Sequence, residues 1–156
     1  MNKVQVLLLL IMVLAISACQ APQKVEPKVK FELIMDEYFE KYKPKLNPIM
    51  AGSSASMAEI LISKENLTHF QMIEIKKKMK ISGWKEVEDT SNYAFFCLNT
   101  NQAISILYPE LIIEKNSSGV PIDYDDVNSW SIVLFYSSAG LGDCINFGTV
   151  ANRKMN

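Results

Sequence analysis

The chain has 156 residues, room for one domain, with 16 Lys and Arg against 17 Asp and Glu and a single histidine. A formal net charge of −1 at pH 7 leaves no strong field of either sign, which argues against nucleic acid as a partner. At 49% apolar and 21% charged residues the composition is that of a globular protein, long enough to bury about two thirds of its unfolded surface without help from a cofactor.

The N-terminus is the most informative segment. Lys3 supplies a positive start, and Val6 to Ile16 is an unbroken apolar run, VLLLLIMVLAI. The run is too short to span a bilayer core, which needs about 20 residues. Ser17 and Ala18 then place small residues directly before Cys19. Positive start, apolar stretch and small-residue site form the layout of a secretory signal. The order Ile16-Ser17-Ala18-Cys19 resembles the lipobox of bacterial lipoproteins, a likeness confined to the first 20 residues. It implies cleavage between Ala18 and Cys19, a diacylglycerol on the Cys19 thiol and acylation of the new amine. One acyl chain binds membranes marginally, at about 0.8 kcal/mol per buried methylene. Two or three hold the protein permanently. Gln20 stands where an aspartate would signal inner-membrane retention. The resemblance therefore implies the periplasmic face of a Gram-negative outer membrane, with the inner membrane or the cell surface as the alternative. Residues 1–18 then form the signal, 19–30 a lipidated terminus and linker, and 31–156 one globular domain. Loss of the signal removes Lys3 and brings the mature side chains to −2.

Gln20 to Lys30, QAPQKVEPKVK, carries two prolines and no aromatic residue. It reads as a semi-extended linker, which at about 3.1 Å per residue holds the domain roughly 30 Å from the lipid. Phe31 to Lys43 predicts a helix, because Phe31, Ile34, Met35, Tyr38, Phe39 and Tyr42 recur at three- and four-residue steps and Pro44 ends the run. Its polar face is mainly acidic, which suits core packing better than a membrane surface. Lys45 to Glu65 is ambiguous. Ser56 and Glu59 have the spacing of a capping box, which allows a short helix through Ile62, whereas Ile60 to Ile62 would also suit a strand.

Thr68 and Gln71 make a second capping box and open a better helix, with Phe70, Met72, Ile73, Ile75 and Met79 as its apolar side. Lys76, Lys77, Lys78 and Lys80 suit the negative helix end and read as a solvated face rather than an anion site. Gly83 supplies the stop. The period then changes to two. Trp84 to Glu88, Tyr93 to Leu98 and Ala103 to Tyr108 predict antiparallel hairpin strands, the second central because both its faces are apolar. Trp130 to Tyr136 and Cys144 to Val150 predict two more, joined by the loop SSAGLGD. Glu110 to Ser129 reads as a long excursion. The expected fold is α+β: an antiparallel sheet of about five strands with two or three N-terminal helices packed on one face.

With Cys19 lipidated, Cys97 and Cys144 remain. In an oxidising envelope an even pair is most simply a disulfide; two buried free thiols are the alternative. No Cys-x-x-Cys exists and His69 is the only histidine, so no metal site and no cofactor beyond the covalent lipid is expected. Asp123, Asp125, Asp126 and Asn128 could hold a calcium ion through oxygen ligands, but the glycine and distal glutamate of an EF-hand loop are missing, and solvated loop charges are the simpler reading. Any Ser-His-Asp triad would have to use His69, and no serine lies in a nucleophile-elbow pattern. Ala139-Gly-Leu-Gly142 lacks the third glycine of a dinucleotide site. The sequence therefore points to a non-enzymatic, lipid-anchored module that binds an envelope protein, as an assembly component or an inhibitor of the immunity type. A hydrolase with an unrecognised site is the alternative. The contact falls on the Glu110 to Ser129 excursion, with Tyr124 and Asp125 as its first candidates. Cys19→Ala is expected to abolish fatty-acid labelling and leave the signal uncut; equal labelling of the variant would refute the anchor.

Overall fold

The computed structural model describes residues 27–115, 121–124 and 126–146. The lipobox, with Ala18 and Cys19, and also Asp125 lie outside them. Helix α1 (Phe31–Tyr38) runs into a 3-10 turn at Glu40–Tyr42, so the predicted helix is broken near its end. The predicted stripe holds except at Met35, which is only partly buried: Phe31, Ile34, Tyr38, Phe39 and Tyr42 are all buried. Lys43 then takes a left-handed conformation, with φ of 55°, and turns the chain into β1 (Lys45–Met50) and β2 (Ala55–Ser63).

This hairpin corrects the helical option for Lys45 to Glu65. Burial alternates residue by residue along β2, the mark of a strand with two unlike faces. Ser56 and Glu59, three apart, therefore point to opposite faces and cannot cap anything. The Ser56 hydroxyl donates to the carbonyl of Gly52, whereas the Glu59 carboxylate accepts from the Ser131 hydroxyl at 2.6 Å.

Helix α2 (His69–Ile81) has the expected ends. Thr68 and Gln71 close a reciprocal capping box. At the other end Trp84 N–H donates to the carbonyl of Met79 and Gly83 N–H to that of Lys80. That double bond pattern requires a left-handed residue, and Gly83 provides it at φ 96°. Met72, Ile75 and Met79 are buried, but Phe70 and Ile73 of the expected apolar side are 72% and 45% exposed. The lysine run is absorbed into ion pairs: Lys76–Asp89 at 2.6 Å, Lys77–Glu74 at 2.8 Å and Lys80–Glu86 at 2.9 Å.

Strands β3 (Lys85–Asp89), β4 (Tyr93–Cys97), β5 (Gln102–Leu107) and β8 (Ser129–Ser137) complete a six-stranded antiparallel sheet in the order β1-β2-β8-β5-β4-β3. A separate two-stranded sheet, β6 (Ile113–Lys115) with β7 (Pro121–Asp123), lies within the excursion. The fold is thus α+β with a larger sheet than expected, and the helices do not all come first. α1 precedes the sheet, α2 lies between β2 and β3, and residues 142–146 form a short helix after β8.

Two further corrections follow. β4 is next to the edge strand, and the centre belongs to β8 and β5. Both faces of β4 are apolar because each is covered: Ala94 and Phe96 enter the helix-side core, and Phe95 and Cys97 join a smaller cluster with Ala103, Phe135, Leu141 and Cys144 on the opposite face. Cys144 is helical, and SSAGLGD leads into that helix instead of closing a hairpin. Residues 147–150 of the fifth expected strand lie outside the described residues.

Cys97 and Cys144 form a disulfide, with Cα atoms 5.6 Å apart and a sequence separation of 47. The bond ties the short helix to β4. Chain entropy assigns a loop of this length about 4 kcal/mol. The Cys97→Ala/Cys144→Ala variant is expected to lose stability of that order in denaturant unfolding, and the native exported protein to show no alkylatable thiol. An unchanged midpoint on reduction would contradict this.

Candidate functional site

At one end of the sheet β5 stops at Leu107 and the chain leaves it for the excursion. Tyr108 N–H donates to the carbonyl of Asn92. The Tyr108 ring has three neighbours: His69 lies tilted against it at 3.9 Å between centroids, Trp130 meets it edge-on at 4.6 Å, and the Lys64 ammonium lies 3.6 Å from its centroid. Trp130 is held by its indole N–H, which donates to the carbonyl of Leu67 at 2.7 Å. Lys64 also donates to the carbonyl of Pro109. Burial lowers the pKa of its ammonium, and Glu110, Glu114 and Asp126 oppose that by favouring the charged form. This assembly fixes the base from which the excursion projects. It also gives His69 a packing role that its position at a helix start did not disclose.

Beyond Pro109 the Glu114 carboxylate accepts from the backbone N–H groups of Glu110 and Leu111. The chain is thereby bent into a tight turn. Ile113 pairs with Asp123 and Glu114 with Ile122, and Tyr124 N–H donates to the carbonyl of Ile112. Of the described residues in this hairpin, Ile113 and Asp123 are open to solvent, whereas Glu114, Ile122 and Tyr124 are half-buried. Leu111, Ile112 and Ile113 are 65%, 63% and 60% exposed. Three consecutive exposed aliphatics are unfavourable in an isolated soluble protein and are the kind of surface that protein interfaces cover. Burying what remains exposed would stabilise a complex by about 1–2 kcal/mol per residue.

Tyr124, the aromatic expected at the contact, follows β7 opposite Ile112. It is half-buried, and its phenol is pushed above the ordinary 10.0 by burial and by the Glu114 charge. The structure brings Tyr124 to the same hairpin as the aliphatic ridge. The ridge itself was missed, although three aliphatics in a row inside an otherwise polar, acidic stretch are visible in the sequence.

From the Asp123–Asp126 group, Asp126 is spent on its own turn: its carboxylate accepts from Asn128 N–H at 2.7 Å and from the Ser129 hydroxyl at 2.6 Å. Among the described residues no group of three or more His, Cys, Asp or Glu side chains is arranged to hold a metal ion. Likewise among them, no helix is long and apolar enough to cross a membrane.

A cleft of about 500 Å³ opens beside the aromatic trio, between α2 and the β3–β4 turn. Met72, Ile106 and Trp130 lie along it, and Lys76 and Asp89 at its rim satisfy each other. His69, Thr90, Ser91 and Tyr93 add to its polar lining.

No family model matches the chain, no curated protein matches it, and no solved structure matches it.

The Ser129 hydroxyl, followed by Asn128 N–H, lowers the Asp126 pKa below the ordinary 3.8. A depressed carboxyl contributes stability that is present above the unfolded pKa and is lost as pH falls through the folded one. Ser129→Ala is expected to move the Asp126 midpoint back toward 3.8 in a carboxyl-detected NMR titration. No movement would show that the hydroxyl is not the cause.

Proposed function

We propose that the chain is a bacterial envelope lipoprotein, anchored through Cys19, that binds another protein through its Glu110 to Ser129 excursion and carries no catalysis of its own. The observation that supports this most is the Leu111–Ile113 ridge: three exposed aliphatics on a hairpin whose turn is pinned by Glu114 and whose base is pinned by Lys64. A pre-shaped ridge loses little conformational freedom on binding, which favours affinity. Tethering to a membrane raises its effective concentration toward neighbours. Tyr124 is joined to the ridge through its N–H, which donates to the Ile112 carbonyl, and Asp125, outside the described residues, follows it in sequence. An assembly component and an inhibitor of the immunity type both fit this role.

The test is chemical crosslinking of the full-length protein in its native membranes. Wild type is expected to give a discrete protein adduct. Leu111→Ser/Ile113→Ser should reduce its yield at least tenfold, by the usual cost of truncating interface anchors, without shifting the melting temperature. Absence of any wild-type protein adduct, together with turnover of ester or cell-wall substrates that disappears in His69→Ala, would overturn the reading in favour of an enzyme.

A further inference from the structure

The sheet has two ends, and they carry different things. At one end lie the start of β2, the start of β5 and the finish of β8. There the buried Gln102 side chain grips the backbone of Val29 twice, its carbonyl accepting from Val29 N–H at 2.9 Å and its amide donating to the Val29 carbonyl at 2.8 Å. Lys28 donates to the Ser56 hydroxyl at 2.7 Å and lies over the Phe31 and Tyr136 rings. The chain coming from the N-terminus is therefore fastened to the domain at this end. β8 runs the full length to the other end, nine residues or about 30 Å. There β5 and β8 give rise to the excursion and its Leu111–Ile113 ridge.

Acids outnumber bases around the ridge, with the Lys64 charge set among Glu110, Glu114 and Asp126. Glu110 and Asp123 are exposed beside it, and Asp126 is exposed close by. Glu114 lies beneath the turn, and Lys64 is committed to Tyr108 and Pro109. The sequence from Glu110 to Ser129 holds five acids against one lysine. An apolar ridge rimmed by carboxylates is repelled by an anionic lipid surface and is complementary to an apolar socket rimmed by Lys or Arg.

Resting on the binding role and the Cys19 anchor given above, we propose that the partner is a protein with a cationic, apolar-centred surface, met on the side of the domain that faces away from its own membrane. The tether and the contact are then separated by the length of the sheet. Partner engagement requires neither lipid contact nor release of the anchor.

The test places a photocrosslinking amino acid at Ile112, and separately at Lys28, in the full-length lipoprotein in native membranes. The Ile112 probe is expected to give a protein adduct whose crosslinked peptide is rich in Lys and Arg. The Lys28 probe should not capture that protein. Charge reversal by Glu110→Lys/Asp123→Lys should lower the Ile112 yield roughly tenfold, and rising salt should lower it in wild type, as screening of a complementary pair requires. Lipid adducts from Ile112, or a partner peptide with no excess of basic residues, would overturn the proposal. A protein captured through Lys28 and not through Ile112 would also overturn it while leaving the binding-module reading intact. Protein adducts at neither position would remove both.

Discussion

Everything in this molecule depends on one strand being placed between two ladders. β8 pairs with β2 over nine residue pairs, from Ala55↔Ser137 to Ser63↔Ser129, and with β5 over six, from Gln102↔Tyr136 to Leu107↔Ser131. Without it, β1–β2 and β3–β4–β5 would be two separate ribbons, and the core under α1 and α2 would be divided. The alternation of β8 lays Ile132, Leu134 and Tyr136 toward the helices and Val133 and Phe135 toward the opposite face. A slip of one residue would exchange those sets, so burial on both faces fixes the register.

The same strand gives the domain its direction. Because the chain from the N-terminus is clamped where β8 ends, and the excursion begins where β8 starts, the two cannot be neighbours. The clamp is made by Gln102, a buried amide that treats Val29 as if it were one more strand partner. A buried amide left without those bonds would cost about 1–3 kcal/mol, so the same bonds that satisfy Gln102 hold the incoming chain in place. At the far end the aromatic trio of His69, Tyr108 and Trp130 performs the matching task, closing the sheet beneath the point where the excursion departs.

The charges are arranged with similar economy. Lys76, Lys77 and Lys80 pair with Asp89, Glu74 and Glu86. Exposed pairs of this kind stabilise by about 0–1 kcal/mol each. Their consequence is mainly that the lysine-rich helix presents no concentrated positive field. The excursion differs, because its acids surround apolar surface and lack that many lysine partners.

What the sequence determined by itself was local. Thr68, Gln71 and Gly83 fix both ends of α2 through groups within a few residues of one another, and the 3.6 period of Phe31 to Tyr42 fixes the buried stripe of α1. Cys97 and Cys144 could be paired because, with Cys19 taken as the anchor, no other thiol competed. The excursion was legible from its length and turn residues. The tertiary structure decided what depends on neighbours distant in the chain. Lys45 to Glu65 became a hairpin because β8 offered β2 a full set of backbone partners, which a capping serine could not outweigh. β4 lost the central position because being covered on both faces does not require being in the middle: the disulfide-bound helix supplies the second cover. The Leu111–Ile113 ridge stayed exposed because, among the described residues, nothing packs over it. A strand's burial is set by what packs on it, and residue order alone does not carry that information.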